Sequence, residues 1–286
     1  MNVTSIELWS TSDWTSTPVM YAALDLTQTL YTDSYLIKSV SGLDNSEIVP
    51  HYYGSGNNAN YAYQYYSMVP PPRVVSFLIK LNPGAGVTVG TLRDNLQKMI
   101  SISRRGSIEI KFKNLTTHVA SLFGLVTKFE SSIFTSDAEV QITFTCSYPF
   151  LKAPTYTDLI NTSTAGTSSY TITDTLSTAP HGISLQLQFT STYSGTSFVI
   201  QGVQGSTVAP FTINYSFING DKLYINSEEE NKSVYVIRGT TTTYLADKLS
   251  ANAIWPIVFP GVNTLGFSNI NFNWLDLKYK ALYWGV

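Results

Sequence analysis

Residues 107–114 read SIEIKFKN, with Ile108, Ile110 and Phe112 alternating against Glu109, Lys111 and Lys113. One face of this strand is apolar and the other is wet. That is the antiparallel signature, because strands of a parallel nucleotide-binding sheet are apolar on both faces. The distinction matters because of what precedes it. Residues 73–100, RVVSFLIKLNPGAGVTVGTLRDNLQKMI, present an apolar strand, a glycine-rich turn and a helix, the order in which dinucleotide-binding folds present phosphate-binding backbone. The glycines fall at Gly84, Gly86 and Gly90, so the spacing is G-x-G-x-x-x-G and not G-x-G-x-x-G, and Pro83 interrupts the end of the strand. The acidic residue that would hold a ribose, about twenty residues on, has Glu109 as its candidate, inside the wet face. A turn feeding a capped helix is the better reading. Thr91 is the expected cap, with Asp94 completing a capping box, and Leu92, Leu96, Met99 and Ile100 form one apolar stripe over about 91–102.

Further along, Val140, Ile142, Phe144, Cys146 and Tyr148 alternate with Gln141, Thr143, Thr145 and Ser147. Cys146 therefore reads as a small buried hydrophobe rather than a nucleophile. Pro149 and Pro154 close a first domain, residues 1–150; a linker over 151–157 leads to a second domain, residues 158–286. There, Ile183, Leu185, Leu187 and Phe189 alternate with polar residues, and Asn219-Gly220 between FTINYSF and DKLYINS predicts a hairpin with a type I′ turn. KSVYVIRG and the stretch from Phe272 supply more strands. Short strands at steady spacing indicate a sandwich. The expected fold is all-β and mainly antiparallel, with two β-sandwich-like domains, the first carrying one α-helix.

Composition agrees. Charged residues make up 13% of the 286-residue chain and the net charge is −2, while Tyr alone numbers 19. Residues 1–150 hold 10 Lys/Arg against 11 Asp/Glu, and residues 151–286 hold 7 against 8. Neither half has the basic surface of an electrostatically driven nucleic-acid binder. A single cysteine excludes an internal disulfide framework and a four-cysteine zinc site. No basic start followed by an apolar run marks a secretory signal, and AIWPIVFPGV, the most apolar run, is broken by Pro256 and Pro260, so no membrane insertion is expected.

Chemistry is sparse. His51, His118 and His181 lie in unrelated contexts without metal-pair spacing, and neither a G-x-S-x-G elbow nor a P-loop occurs. Glu228, Glu229 and Glu230 form the one acidic cluster, read as a solvated turn, with Asp221 and Glu228 the pair a hydrolase would need. No cofactor, metal or catalytic residue is expected. Trp255 and Trp274 are the candidates for stacking on a glycan, against the plainer reading of core packing.

Taken in order, SYLIKSVSGLD, PPRVVSFLIKLNP, LRDNLQKMI, RRGSIEIKFKN, GLVTKFESSIFTSDAEVQITFTCSYPF, INGDKLYINSEE and IWPIVFPGVNTLGF resemble the distal tail protein (Dit) family of siphovirus-type bacteriophages, from about Ala23 to Val286. The most specific stretches are GLVTKFESSIFTSDAEVQITFTCSYPF and WPIVFPGVNTLGF. The tyrosine-rich segment from Tyr52 to Tyr66 departs from the pattern. The resemblance implies a structural virion protein of the phage tail tip, assembled in the host cytoplasm. Its first domain would close into a homohexameric ring under the tail tube protein, around a channel that passes genomic DNA without binding it specifically. The ring would dock a tail-tip hub protein, and the second, galectin-like or carbohydrate-module-like domain would carry receptor-binding proteins or side fibres. Arg104, Arg105, Tyr63 and Tyr65 are the candidates for contacts between protomers or rings. The alternative function is a carbohydrate-binding module for host-surface glycans.

Overall fold

Alternation of apolar and polar residues along most strands buries one face of each, and two separate cores result. A computed structural model describes residues 3–10, 19–25, 35–43, 50–53, 64–68, 71–84, 86–103, 107–132, 138–161, 163–193, 197–203, 210–229, 231–268 and 271–285. The chain divides into two compact units, Met1–Pro154 with Trp284–Val286, and Thr155–Tyr283. Among the described residues no helix is long and apolar enough to cross a membrane.

The first unit contains β1 (Ser5–Ser10), β2 (Met20–Asp25), β3 (Tyr35–Ser41), β4 (Pro50–Tyr53), β5 (Gln64–Met68), β6 (Arg73–Leu81), α1 (Val89–Ser103), β7 (Ile108–Asn114), β8 (Thr117–Ser132), β9 (Glu139–Cys146) and β10 (Leu151–Lys152). Its main sheet runs β10-β8-β7-β1-β2-β3-β6-β9, and β9 pairs again with β8, so the path closes on itself. Closure follows from the length of β8. Its first half pairs with β7 as far as Ile108↔Gly124, and its second half pairs with β9 from Leu125↔Thr145 onward. Gly124 sits at the crossover, where a Cβ would come within 2.7 Å of Cys146 Sγ, so a bulkier residue would part the strands. Among the described residues the sheet is antiparallel except for the parallel pair Asp25↔Leu36. The core is largely aliphatic: Ile6, Leu8, Val75, Ile79, Ile108, Ile110, Leu122, Val140 and Ile142 are all fully buried.

The helix lies where its periodicity predicts, with Leu92, Leu96 and Met99 buried. It packs on β2, β6, β7 and β8, and Tyr35 donates its hydroxyl to the Leu92 carbonyl at 3.1 Å. The cap is Thr88, not Thr91. Thr88 Oγ1 accepts the Thr91 amide at 3.1 Å, and the Leu92 amide makes the first helical bond to the Thr88 carbonyl. Asp94 is engaged instead by Arg93 at 2.6 Å. The glycine stretch before it is a turn, closed by the Val87 amide on the Gly84 carbonyl, with Gly86 at φ +82°.

The second unit contains β11 (Thr157–Ile160), β12 (Thr164–Ala165), β13 (Ser169–Asp174), β14 (His181–Gly182), β15 (Ser184–Phe189), β16 (Phe198–Val203), β17 (Phe211–Ile213), β18 (Lys222–Asn226), β19 (Ser233–Arg238), β20 (Thr241–Tyr244), β21 (Ile257–Val258), β22 (Gly261–Phe267) and β23 (Phe272–Tyr279). One sheet runs β11-β23-β15-β18-β19-β20, with β12 also on β23, and a second runs β13-β22-β16-β17. Aromatic contacts join the two layers: Phe189–Phe198 at 5.4 Å, Phe267–Trp274 at 5.1 Å and Tyr170–Trp274 at 5.4 Å between ring centroids. Each such buried ring contributes roughly 1.5–3 kcal/mol by area alone.

Two local expectations change. Asn219-Gly220 does form a turn, closed by the Asp221 amide on the Ile218 carbonyl, with Gly220 at φ +88°. It does not join a hairpin: β17 pairs with β16 and β18 pairs with β15 and β19, so the turn lies where the chain crosses from one layer to the other. Residues 151–157, expected as a linker, begin with β10, whose Leu151 is fully buried and whose Lys152 pairs with Ser121.

Candidate functional site

On the outer face of β1, β7 and β8 the charges are paired among themselves. Lys113 Nζ donates to Glu7 at 2.7 Å, Trp9 Nε1 donates to the other Glu7 oxygen at 2.9 Å, and Lys111 Nζ stands 4.1 Å over the Trp9 ring. Ser121 donates to Glu109 at 2.6 Å, and His118 Nε2 lies 2.8 Å from the Ser121 hydroxyl. Burial raises the Glu7 carboxyl, but hydrogen bonds from Lys113 and Trp9 outweigh it and hold the group below its usual range. Burial pushes His118 below the usual imidazole range. This face carries little uncompensated charge.

The remaining outer surface, over β6, β9 and the far half of β8, is uncharged near its end. Ser76 and Thr143 share a hydroxyl contact at 2.8 Å, and Thr127 and Thr145 another at 3.1 Å. Val74 and Leu125 flank Thr145 in register and are 53% and 45% exposed. On β1 and β2, Met20 opposes Trp9 and Val19 is bonded to Ser10, and these are 47% and 50% exposed.

Strands β7 and β8 are joined by Leu115 and Thr116, since Asn114 pairs with Thr117. Leu115 is 77% exposed and has φ +55°, making it the one non-glycine residue with positive φ among the described residues. Two-residue hairpin turns take Gly or Asn at such a place, and a branched side chain there costs about 1–2 kcal/mol. Thr4 fixes the turn: its hydroxyl accepts the Leu115 amide at 2.6 Å and donates to the Lys113 carbonyl at 3.3 Å.

In the second unit the polar residues are engaged internally. Asp221, at the head of β18, accepts both arms of Arg238 at 2.8 and 2.7 Å, and Glu228 lies beyond the tail of that strand. The five residues of β18 that stand between them put them more than about 15 Å apart, against the 5–9.5 Å of glycosidase pairs. Asp174 accepts the Leu176 and Ser177 amides, the Tyr279 hydroxyl and His181 Nε2, each at 3.0 Å. Burial and the adjoining Asp174 charge push the Tyr279 phenol up to about 12. The nearby Ser227 hydroxyl donates to the Pro256 carbonyl at 2.7 Å and accepts the Ile183 amide at 2.8 Å, so it is a structural brace. Cys146 is fully buried, and burial pushes its thiol up to about 12. Among the described residues no group of His, Cys, Asp and Glu is placed to hold a metal.

This unit also displays an apolar turn. Ile257, Phe259 and Val262 are 44%, 39% and 63% exposed. Buried Asn263 fixes the turn by accepting the Phe259 amide at 2.9 Å and donating to the carbonyls of Phe259 and Gly261.

The expected contact residues fare unevenly. Arg104, Arg105 and Tyr63 lie outside the described residues; Tyr65 lies on β5 opposite Tyr52, and its side chain is likewise outside them. Trp274 is 1% exposed, enclosed by Tyr170, Phe267 and Phe272, and offers no face to a sugar. Trp255 is half-buried against Phe211 at 4.8 Å. Sequence reasoning passed over Val74, Leu115 and Leu125. Val74 carried a signal, because the outward positions of RVVSFLIKL hold Val74 and Leu78 where alternation calls for polar residues.

No family model matches the chain, and no curated protein matches it. Solved structures do. The Dit protein of phage SPP1, described as a paradigm of the hub adsorption apparatus in phages infecting Gram-positive bacteria, aligns over 88% of this chain and 95% of its own at 16% identity, with a TM-score of 0.57. Two structures of the phage p2 baseplate in its activated conformation, with strontium and with calcium, align over 100% of both chains at 9% and 10% identity, each with a TM-score of 0.50. The chain accordingly has the Dit-like fold of phage tail hubs.

Proposed function

We propose that the chain is a structural protein of a phage tail tip that forms a hexameric ring at the distal end of the tail tube. It acts there as the hub between tube and tail-tip or receptor-binding components, around a channel for the genome. The observation that carries this reading is the Dit-like fold, together with a first unit that leaves Val19, Met20, Val74 and Leu125 exposed. Uncovered aliphatics flanked by Ser and Thr suit an interface that is desolvated between protomers. The near-neutral charge suits a channel that DNA traverses without binding.

The first unit forms the ring in this proposal, with Arg104, Arg105, Tyr63 and Tyr65 as further contacts between protomers or rings. The second carries fibres or receptor-binding proteins, and its Asn263-braced turn is the surface assigned to them. The protein works without enzymatic activity or cofactor, within the virion, after assembly in the host cytoplasm. The separation of Asp221 from Glu228 supports the non-enzymatic part.

Light scattering on the purified chain, with negative-stain images of the same fraction, tests the ring. The expected result is a mass of six protomers and open-centred particles. A monomer at every concentration overturns it.

A further inference from the structure

Arg73 stands where an apolar residue would be expected. It opens β6, shares the inward row with Val75, Phe77, Ile79 and Leu81, and is 4% exposed. A guanidinium at such a depth is tolerated only where its donors are met. Its Nη1 donates to the Leu43 carbonyl at 3.1 Å and to the Gly42 carbonyl at 3.4 Å, and its Nη2 donates to the Trp284 carbonyl. The first two acceptors are aimed by Gly42, which has φ +83° and runs so close to the Val74 carbonyl that a Cβ has no room. The third lies 211 residues further along the chain.

Trp284 is held by its side chain as well. Its ring meets Phe150 edge-on at 4.6 Å between centroids, and Phe150 meets Tyr148 in the same manner at 5.2 Å. Residues 284–286 thus belong to the first unit, although all of the second, Thr155–Tyr283, lies between them and Pro154. The consequence is one of timing. Synthesis runs from the N-terminus, so Arg73 and its β6 strand exist long before the Trp284 carbonyl does. A buried donor that lacks its acceptor suffers the full loss of hydration.

We infer that residues 284–286 are a strap, seated on Arg73 and Phe150, that completes the first unit. That unit gains its final stability, and with it the competence to assemble, only after the second unit has been made. The assembly half of the inference rests on the ring reading; the strap itself does not.

The test compares the full chain with one that stops after Tyr283, each with Arg73 and with Arg73→Met. Removing the strap is expected to lower the melting temperature of the first unit by about 5–10 °C and to leave the transition of the second in place. With Arg73→Met, which keeps an apolar stem and removes the donors, the same truncation is expected to shift the transition by about half as much or less, since the packing of Trp284 on Phe150 is what remains to be lost. Trp284→Ala in the full chain keeps the carbonyl and loses the ring, so it is expected to lower the same transition by less than the truncation does, and it decides the matter if the truncated chain does not fold. A first unit that melts alike with and without residues 284–286, or with Trp284→Ala where that variant decides, overturns the inference, and so does an equal loss with Arg73 and with Arg73→Met. Mixed with tagged parent chain at a temperature between the two midpoints, the truncated chain is expected to be left out of rings. Its entry in equal share overturns the assembly half. A parent that is monomeric throughout overturns the ring reading, while the melting comparison still decides the strap.

Discussion

Trp274, Phe272, Phe267, Phe198 and Phe189 fill the interior of the second unit and enclose carboxylates at Asp174 and Asp221, whereas the first unit is packed with Ile, Leu and Val and buries one charged side chain, Arg73, among the described residues. Asp174 is held by His181, Tyr279 and two amides, and Asp221 by Arg238. Buried polar groups satisfied from within specify one arrangement and are costly to disturb. The first unit buries Arg73 among carbonyls, those of Leu43 and Trp284, and otherwise leaves apolar side chains exposed at its surface and charges paired on the outer face.

The largest expected effect probes the sealed interior. Trp274→Ala removes a ring packed between two layers and should destabilise the second unit by about 3–5 kcal/mol. Calorimetry should show that transition falling, with the transition of the first unit in place and rings still forming. If both transitions fell together, or rings were lost, the division of labour between the units would be broken. The same variant separates packing from glycan recognition, because the 1% exposed ring has no sugar-binding face to lose.

Much of this fold was legible in the sequence because alternation reports burial directly: Ile108, Ile110 and Phe112, then Val140, Ile142 and Phe144, face the core as their spacing requires. Partner choice was not legible. Asn219-Gly220 specifies a turn, yet which strands flank it depends on the layer to which β17 and β18 are drawn, a matter of the aromatic core. Closure of the first sheet through β8 was equally hidden, since it depends on one long strand changing partners at Gly124. Of the candidate site, Leu115 was not legible at all. A leucine in a hairpin turn looks ordinary until its φ is known.

The helix cap gives a middle-sized effect on the other unit. Thr88 and Thr91 are three residues apart and each fits a cap, but Thr88 Oγ1 is the acceptor of a helical amide. Thr88→Ala should cost the first unit about 1 kcal/mol, read as a lower denaturant midpoint at unchanged slope, and Thr91→Ala distinctly less. The second unit should not respond. Equal effects at the two threonines would return the helix start to Thr91.

The smallest effect sharpens the contrast by pH. Burial holds His118 below its ordinary value of 6.5 in the folded first unit. Its contribution is therefore fully present above that value and is lost as pH falls through the lower folded one. Glu109 and Glu7 nearby oppose the shift, Lys111 adds to it, and the Ala120 carbonyl accepts the ring N–H. In the second unit, burial raises the Asp174 carboxyl, but the Ser177 and Leu176 amides and His181 lower it below its ordinary 3.8. That contribution is present above 3.8 and is lost as pH falls through the folded value. Lowering the buffer pH from 7 toward 4 should thus weaken the first unit alone, and only stronger acid should loosen the second. Following both transitions by calorimetry across this range separates the two groups. His118→Gln should flatten the upper window and leave the lower one as it was, and Asp174→Asn should do the reverse. A first unit whose stability is level between pH 7 and 4 would remove His118 from this account, with the charge network of Glu7, Lys111 and Lys113 left to govern that face.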